Sequence, residues 1–171
     1  MSDKNHPVWD VYDLLRLSSL NMKYYSRRLA RIERLNLGIE IFLAFSASSA
    51  IAGMFLTTGW GKAVWGSVGG LSSILLVIKP FLNLPKRIRE YETVLTGYRA
   101  LHNDLTEIKV MITQRRAYDA TIKADFRRAM KRHGLLVTKS PETTENAILK
   151  GKCEAEVLHQ YPVDSFFVPL Q

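Results

Sequence analysis

The sequence is poor in the residues that catalytic, metal-binding and disulfide-stapled proteins depend on. It contains one cysteine, Cys153, which excludes an intramolecular disulfide framework, and no Cys/His cluster has zinc-site spacing. It has no Walker A, GxGxxG or HExxH motif. Cys153, His159 and Asp164 lie close in sequence, but no oxyanion loop accompanies them. We therefore predict no enzyme activity, no catalytic residue, no cofactor and no metal.

Charge is also absent from two long stretches of the chain. Between Leu37 and Thr58 the only charged residue is Glu40, and the 16 residues from Ala63 to Ile78 have none. A helix of 22 residues spans about 33 Å, and the hydrocarbon core of a bilayer is about 30 Å thick. A helix of a soluble bundle normally keeps a charged stripe on its exposed face, which neither run has. The sequence predicts an all-α membrane protein with a two-span transmembrane hairpin at 37–82, with spans at about 37–58 and 63–82 and a turn at 59–62.

The abundant cations give the hairpin an orientation. The chain carries 24 Lys and Arg against 16 Asp and Glu, a net charge of +8. Seven of these cations lie in residues 1–36 and many follow the second span, whereas the turn contains only Lys62. The positive-inside rule then predicts that both termini are cytoplasmic. Attraction to the lipid bilayer accounts for the remaining charge, and nucleic acid is the weaker alternative because no recognition motif is present.

Small residues recur at four-residue spacing in both predicted spans. In the first span they are Ala44, Ser48 and Ala52, and in the second Gly66 and Gly70 form a GxxxG pattern. Such spacing lets helix backbones approach closely in lipid. The pattern predicts close helix packing, either within one hairpin or between protomers of a homo-oligomer.

Glu40 and Lys79 are the two ionisable residues at the ends of the predicted spans. Each lies about the same distance from the turn, so both are expected at the cytoplasmic rim. One interpretation is an interfacial ion pair at the base of the hairpin. The sharper alternative is a ring of Glu40 side chains that gates a pore mouth.

Two amphipathic segments flank the hairpin, at 1–36 and 83–133. The upstream segment has a heptad-like apolar stripe, and the downstream segment repeats the spacing at Val94, Tyr98, Leu101, Leu105 and Ile108, which we call the downstream seam. Each stripe requires an apolar partner, and the simplest arrangement is an antiparallel, coiled-coil-like pair beneath the membrane. Packing between protomers is the alternative.

Beyond Gly134 the sequence signals weaken. We predict an irregular C-terminal tail at 134–171 with a possible short helix from Glu145 to about Leu158. Its end is apolar and contains Pro162 and Pro169. We expect this end to dock on the helical region; lying on the membrane or binding a partner are the alternatives.

The chain resembles the SLATT family of two-transmembrane effectors of prokaryotic defence systems. The residues that carry the resemblance are 24–28 (YYSRR) before the hairpin, and 89–91 (REY) and 98–105 (YRALHNDL) after it. The resemblance covers about residues 20–130. It implies a multi-pass protein of the bacterial cytoplasmic (inner) membrane that disrupts this membrane when a sensor or nucleotide second messenger activates it. The chain has no recognisable sensor domain, so activation would come from a separate protein or a ligand.

The sequence therefore favours an oligomerising effector that permeabilises or depolarises the cytoplasmic membrane in an antiphage, abortive-infection response. The rival hypothesis is a non-conducting membrane anchor or scaffold that recruits a soluble partner through its helices and tail.

Overall fold

The computed structural model describes residues 6–47 and 59–169, and the chain is all-helical over these ranges. The helices are α1 (Val8–Ser46), α2 (Gly59–Leu82), α3 (Leu84–Arg115), α4 (Ala120–Thr138) and α5 (Ala147–Gln160). A short 3₁₀ turn follows at Val163–Ser165. The chain divides into two compact units: unit 1 comprises Met1–Arg28 with Glu90–Gln171, and unit 2 comprises Leu29–Arg89.

Local chemistry explains where the helices begin and end. At the start of α1 the imidazole Nδ1 of His6 accepts a hydrogen bond from the Val8 amide at 3.2 Å. The side chains of Asp119 and Asn146 cap α4 and α5 in the same way, each at 2.9 Å from an amide three residues on. Asn83 and Arg116 have φ angles of 45° and 49°, and these left-handed residues separate α2 from α3 and end α3.

Unit 1 is a helical bundle built on the N-terminal part of α1 and on α3. These two segments run antiparallel, because Tyr25 stacks on Tyr98 at 5.6 Å while Ser18 lies 3.2 Å from His102. Helix α4 packs along α3 at Gly97, where an added Cβ would lie 2.2 Å from Leu136 Cδ2. Glycine thus permits this close helix approach.

Unit 2 contains the rest of α1 and α2 and the first part of α3. Few of its apolar side chains are buried: Leu29, Ile39 and Leu84 are at most 9% exposed. Among its described residues, Ser72 Oγ donates to the Val68 carbonyl and Ser73 Oγ to the Gly69 carbonyl of the same helix.

One prediction about the local structure is wrong and another is wrong only in part. Residues 59–62 form the first turn of α2 and not a separate turn. Two glycines cost a helix about 2 kcal/mol relative to alanine, which a long apolar continuation can offset. In the tail at 134–171, the predicted short helix is present as α5 (Ala147–Gln160), but the start of the tail is not irregular, since α4 continues through Gly134 to Thr138. Helix α4 continues because Leu136, 7% exposed, still has α3 to pack against.

Candidate functional site

Glu142, between α4 and α5, has a largely buried carboxylate that accepts three side-chain hydrogen bonds. Its side chain is 6% exposed and accepts hydrogen bonds from the hydroxyls of Tyr24 and Tyr91. Arg28 donates its Nε–H to the same carboxylate at 2.5 Å. Tyr24 and Arg28 lie on α1, Tyr91 lies on α3, and Glu142 belongs to the segment between α4 and α5. One carboxylate therefore ties three separate parts of the chain together.

The donors around Glu142 hold it in its charged form. Burial alone raises the pKa of a carboxyl group, but the hydrogen bonds from Tyr24, Tyr91 and Arg28 together outweigh burial. The pKa of Glu142 therefore lies below its ordinary value of 4.5. At neutral pH the site is a partly buried arginine–carboxylate pair with two tyrosine donors.

The pKa values of the tyrosines in this region are shifted upward, opposite to the shift of Glu142. Burial, followed by the hydrogen bond to Glu142, raises the pKa of Tyr24 to about 12, and burial together with the same carboxylate raises that of Tyr91 as well. Burial also raises the pKa of Tyr98 to about 12. These hydroxyls remain protonated donors throughout the physiological pH range.

A second contact joins α5 to α1. Arg27 Nη2 donates to both carboxylate oxygens of Glu156, at 2.7 and 2.9 Å, and Lys23 lies 3.7 Å from the same group. Beside them the thiol of Cys153 is fully buried, 3.5 Å from Arg27 Nη1. One guanidinium nitrogen thus bonds to both carboxylate oxygens, which joins α5 to α1.

A third contact joins the end of the chain to the start of α1. Arg16 donates to the Tyr161 carbonyl at 2.7 Å, and the Tyr12 hydroxyl donates to the Phe167 carbonyl at 2.5 Å. The ring of Phe166 stacks on Tyr12 at 4.2 Å and is 8% exposed. The apolar end docks on the helices, as the sequence analysis expected.

Together these contacts define one element, residues 139–169, which we call the C-terminal clamp. It contacts α1 at Tyr12 and Arg16, at Arg27, and at Tyr24 and Arg28. It also contacts α3, where the Tyr161 hydroxyl lies 3.3 Å from His102 Nε2. The His102 ring is thus held between Ser18 and Tyr161, and burial lowers its pKa. The contacts of His102 with Ser18 and Tyr161 are not evident from the sequence alone.

The residues of the downstream seam lie together in the interior of unit 1. Val94, Tyr98, Leu101, Leu105 and Ile108 are each at most 2% exposed. Tyr25 of α1 covers Tyr98, which places the upstream stripe against the seam. The seam is thus fully covered within a single chain.

The other predicted site residues lie in unit 2. Glu40 Oε1 and Lys79 Nζ are 3.7 Å apart, with side chains 49% and 35% exposed. Gly66 and Gly70 lie on α2, where a Cβ added to either would meet no atom within 4 Å. Ala44 lies on α1, whereas Ser48 and Ala52 fall outside the described residues.

The described residues 6–47 and 59–169 contain no group of three or more His, Cys, Asp or Glu side chains placed to hold a metal ion. Cys153 has no exposed surface. Its thiol therefore cannot meet a substrate in this structure.

Over the same ranges, no helix by itself is long and apolar enough to cross a bilayer, although the bent pair Gly66–Leu82 and Leu84–Arg115, with a 41° bend, has the required length and composition.

Sequence analysis missed Glu142 and Glu156 as site residues. Glu142 lies in a segment of turn-forming residues, and a single carboxylate in a loop carries no pattern. The sequence does point to the partners of these carboxylates. The five residues 24–28 contain two tyrosines and two arginines, an excess of hydrogen-bond donors on one turn of helix.

Comparison with protein-family models, with curated proteins and with solved structures finds no match to this chain.

Proposed function

We propose that this protein is a membrane effector that oligomerises through its apolar unit 2 and permeabilises or depolarises the bacterial cytoplasmic membrane. The observation that carries the proposal is the distribution of exposed apolar side chains. Of the 22 large hydrophobic residues exposed in the described chain, 13 belong to unit 2. They include Trp60 at 87%, Val77 at 65% and Phe81 at 81%. Water would oppose such a surface, whereas lipid would not.

Open space around the glycines of α2 supports the oligomerisation step. Gly66, Gly69 and Gly70 have nothing within 4 Å of an added Cβ, so no part of the described chain fills this face. In lipid, a helix from a second copy can approach such a face closely. In the proposed homo-oligomer, the glycine face of α2 packs against a helix of a second copy.

Control of the effector is assigned to unit 1. Helices α1 and α3 each contribute residues to both units, so a change in unit 1 has a continuous helical path to unit 2. The C-terminal clamp and the buried seam hold these two helices together in the resting state. On the SLATT resemblance, a separate sensor protein or a nucleotide second messenger would release them. The resulting abortive-infection response is an antiviral defence.

Induced expression in bacteria tests the proposal. We expect the parent protein to depolarise cells, measured with a potential-sensitive dye, and Gly66→Leu with Gly70→Leu to reduce depolarisation and cross-linked oligomers together. Gly151→Leu is the matched control, because Gly151 also lies in a helix with open space around it, but in unit 1. Normal assembly and depolarisation by the α2 double variant would contradict the proposal.

Topology is tested separately with a cysteine at position 62 in a Cys153→Ala background. On our proposal this thiol faces the outside and reacts with an impermeant reagent added to intact cells. Labelling only after lysis would overturn the proposed orientation, in which both termini are cytoplasmic.

A membrane anchor or scaffold is the second candidate, and exposed apolar side chains in the C-terminal part of unit 1 favour it. Ile148 is 77% exposed and Leu158 53% exposed, both on α5. A scaffold would capture a soluble partner there and leave the membrane potential unchanged. Ile148→Asp with Leu158→Asp should then abolish partner capture in a pull-down, whereas the effector proposal predicts unchanged depolarisation.

A further inference from the structure

The outer face of α4 carries a row of cations that no described carboxylate neutralises. Lys123, Arg127 and Lys131 follow each other at four-residue intervals, so they lie along one side of the helix. All three are exposed. The opposite side of α4, formed by Ile122, Phe126, Ala129 and Leu136, is buried in unit 1.

The other cations of α4 have acidic partners. Arg128 pairs with Asp125 on the same helix, and Arg132 pairs with Asp104 on α3. In contrast, no carboxylate in the described ranges forms an ion pair with the three residues of the row. Lys123 contacts only a ring, that of Tyr118, at 5.7 Å. The row is therefore a cluster of three exposed cations that no ion pair in the described ranges neutralises.

Exposed apolar side chains lie beside the row. Met130 and Val137 are each 53% exposed on one flank, and Leu135 is 63% exposed on the other. Cations combined with exposed apolar side chains on one helix face are typical of helices that lie in a membrane interface, where the cations meet phosphates and the apolar groups enter the acyl boundary. A polyanion such as RNA would match the charge but not the apolar flanks.

We propose that the outer face of α4, formed by Lys123, Arg127, Lys131, Met130, Leu135 and Val137, docks on the surface of an anionic phospholipid bilayer. The inference goes beyond the proposed function, because it assigns a second membrane contact to unit 1, separate from the apolar surface of unit 2. Each cation near an anionic surface contributes about fivefold to partitioning. The three together contribute about a hundredfold.

The test places an environment-sensitive fluorophore on α4 of the full chain. Leu135→Cys in a Cys153→Ala background is labelled and reconstituted into neutral phosphatidylcholine vesicles or vesicles with about 30 mol% phosphatidylglycerol. We expect a blue shift and quenching by brominated lipid only in the anionic vesicles. Both signals should disappear in about 1 M salt, where the Debye length is about 3 Å.

Two triple variants distinguish the effect of these three cations from the effect of the protein's net charge. Lys123→Gln, Arg127→Gln and Lys131→Gln should lower quenching in anionic vesicles to the neutral-vesicle level. The control Arg99→Gln, Lys139→Gln and Lys152→Gln removes three exposed charges elsewhere in unit 1 and should leave quenching unchanged. Equal loss in both variants, or equal quenching in neutral and anionic vesicles, would overturn the assignment.

The same samples distinguish this inference from the proposed function. Retention after an alkaline carbonate wash reports insertion of unit 2 alone. A protein that the wash removes, but that shows the anionic-lipid signal beforehand, would contradict insertion and support α4 docking. Binding of a short RNA that the α4 variant abolishes, without any lipid response, would overturn docking on lipid in favour of nucleic acid.

Discussion

Apolar side chains of similar type are buried in unit 1 and exposed in unit 2. The five residues of the downstream seam in unit 1 are 0–2% exposed, whereas Leu71, Ile74, Leu76 and Val77 in unit 2 are 55–65% exposed. Burial of one such side chain stabilises a fold by about 1.5–3 kcal/mol. Unit 1 gains this stabilisation within the chain, whereas these four side chains of unit 2 do not gain it from the described residues.

The units also differ in how far their polar contacts reach along the chain. In unit 1 some of them join distant parts of the chain, as when Tyr24, Arg28 and Tyr91 meet Glu142, although hydroxyls such as that of Thr106 bond to their own helix there as well. In unit 2 the hydroxyls of Ser72 and Ser73 bond to carbonyls four residues earlier on the same helix. A hydroxyl satisfied by its own helix needs neither water nor a partner, which suits a surface in lipid. This contrast leads to the following predictions.

The largest effect is expected from a charge in the seam. Leu101 is 0% exposed, so Leu101→Asp would bury an unpaired carboxylate and lower the free energy of unfolding by about 4–5 kcal/mol. Urea unfolding followed by circular dichroism measures it. Val110→Asp on the same helix is the control, because Val110 is 45% exposed and should tolerate the change within about 0.5 kcal/mol. Similar losses in both variants would contradict the burial pattern.

The same type of substitution in unit 2 should act on membrane insertion. Leu76 is 61% exposed, so Leu76→Asp should leave the unfolding of unit 1 unchanged but oppose insertion by about 2–3 kcal/mol. Carbonate-resistant pelleting measures insertion, and Leu158→Asp in unit 1 serves as the control. If both variants pellet like the parent, unit 2 does not use its apolar surface to enter a bilayer.

Removal of the buried carboxylate should have the next largest effect. Glu142→Ala leaves Arg28 and two tyrosine hydroxyls without their acceptor, at a cost of about 2–3 kcal/mol in the free energy of unfolding. Glu145→Ala is the control, since Glu145 is exposed and pairs only with Lys150. Equal stability of the two variants would show that the clamp does not depend on Glu142.

Because the pKa of Glu142 is lowered, its contribution to stability should depend on pH. Because the folded state binds this proton less readily than the unfolded state, its stabilisation is present above the ordinary pKa of 4.5 and is lost as the pH falls through the lower folded value. Acid unfolding of Glu142→Gln should therefore be less steep over this range than that of the parent.

Alkaline pH should destabilise unit 1 through the ionisation of its buried tyrosines. Tyr12, Tyr24 and Tyr98 have pKa values raised to about 12, chiefly by burial. The folded state holds these protons more tightly than the unfolded state, so stability falls as the pH rises from 10 towards 12. Tyrosinate absorbance should appear together with unfolding. Full titration near pH 10 in a folded protein would contradict the burial of these rings.

The smallest effect is expected at the rim pair. Glu40 and Lys79 are 3.7 Å apart and partly exposed, so Glu40→Lys or Lys79→Glu should lower the free energy of unfolding by about 1 kcal/mol or less. The double exchange should restore part of the loss. Losses that simply add in the double variant would assign the two residues to separate roles.

The sequence alone predicts much of the helical structure, because apolar periodicity is a local property of the chain. The seam spacing from Val94 to Ile108 identifies the face of α3 that unit 1 buries. The single amphipathic segment expected at 83–133 is divided in the structure, because α3 ends at Arg115 and the next residue, Arg116, is left-handed. The uncharged run at 63–78 likewise lies in α2, where the described residues leave apolar side chains such as Leu76 and Val77 exposed.

Only the tertiary structure decided the role of the C-terminal region. Glu142 and Glu156 belong to no periodic sequence pattern. Each is held by hydrogen bonds from residues more than 100 positions away, such as Tyr24 and Arg27. Helix α4 likewise extends past Gly134 because Leu136 meets Gly97 of α3. Local sequence encodes propensity and the direction of an apolar face. A buried carboxylate is stable only where distant donors converge on it, and chain packing alone determines that convergence.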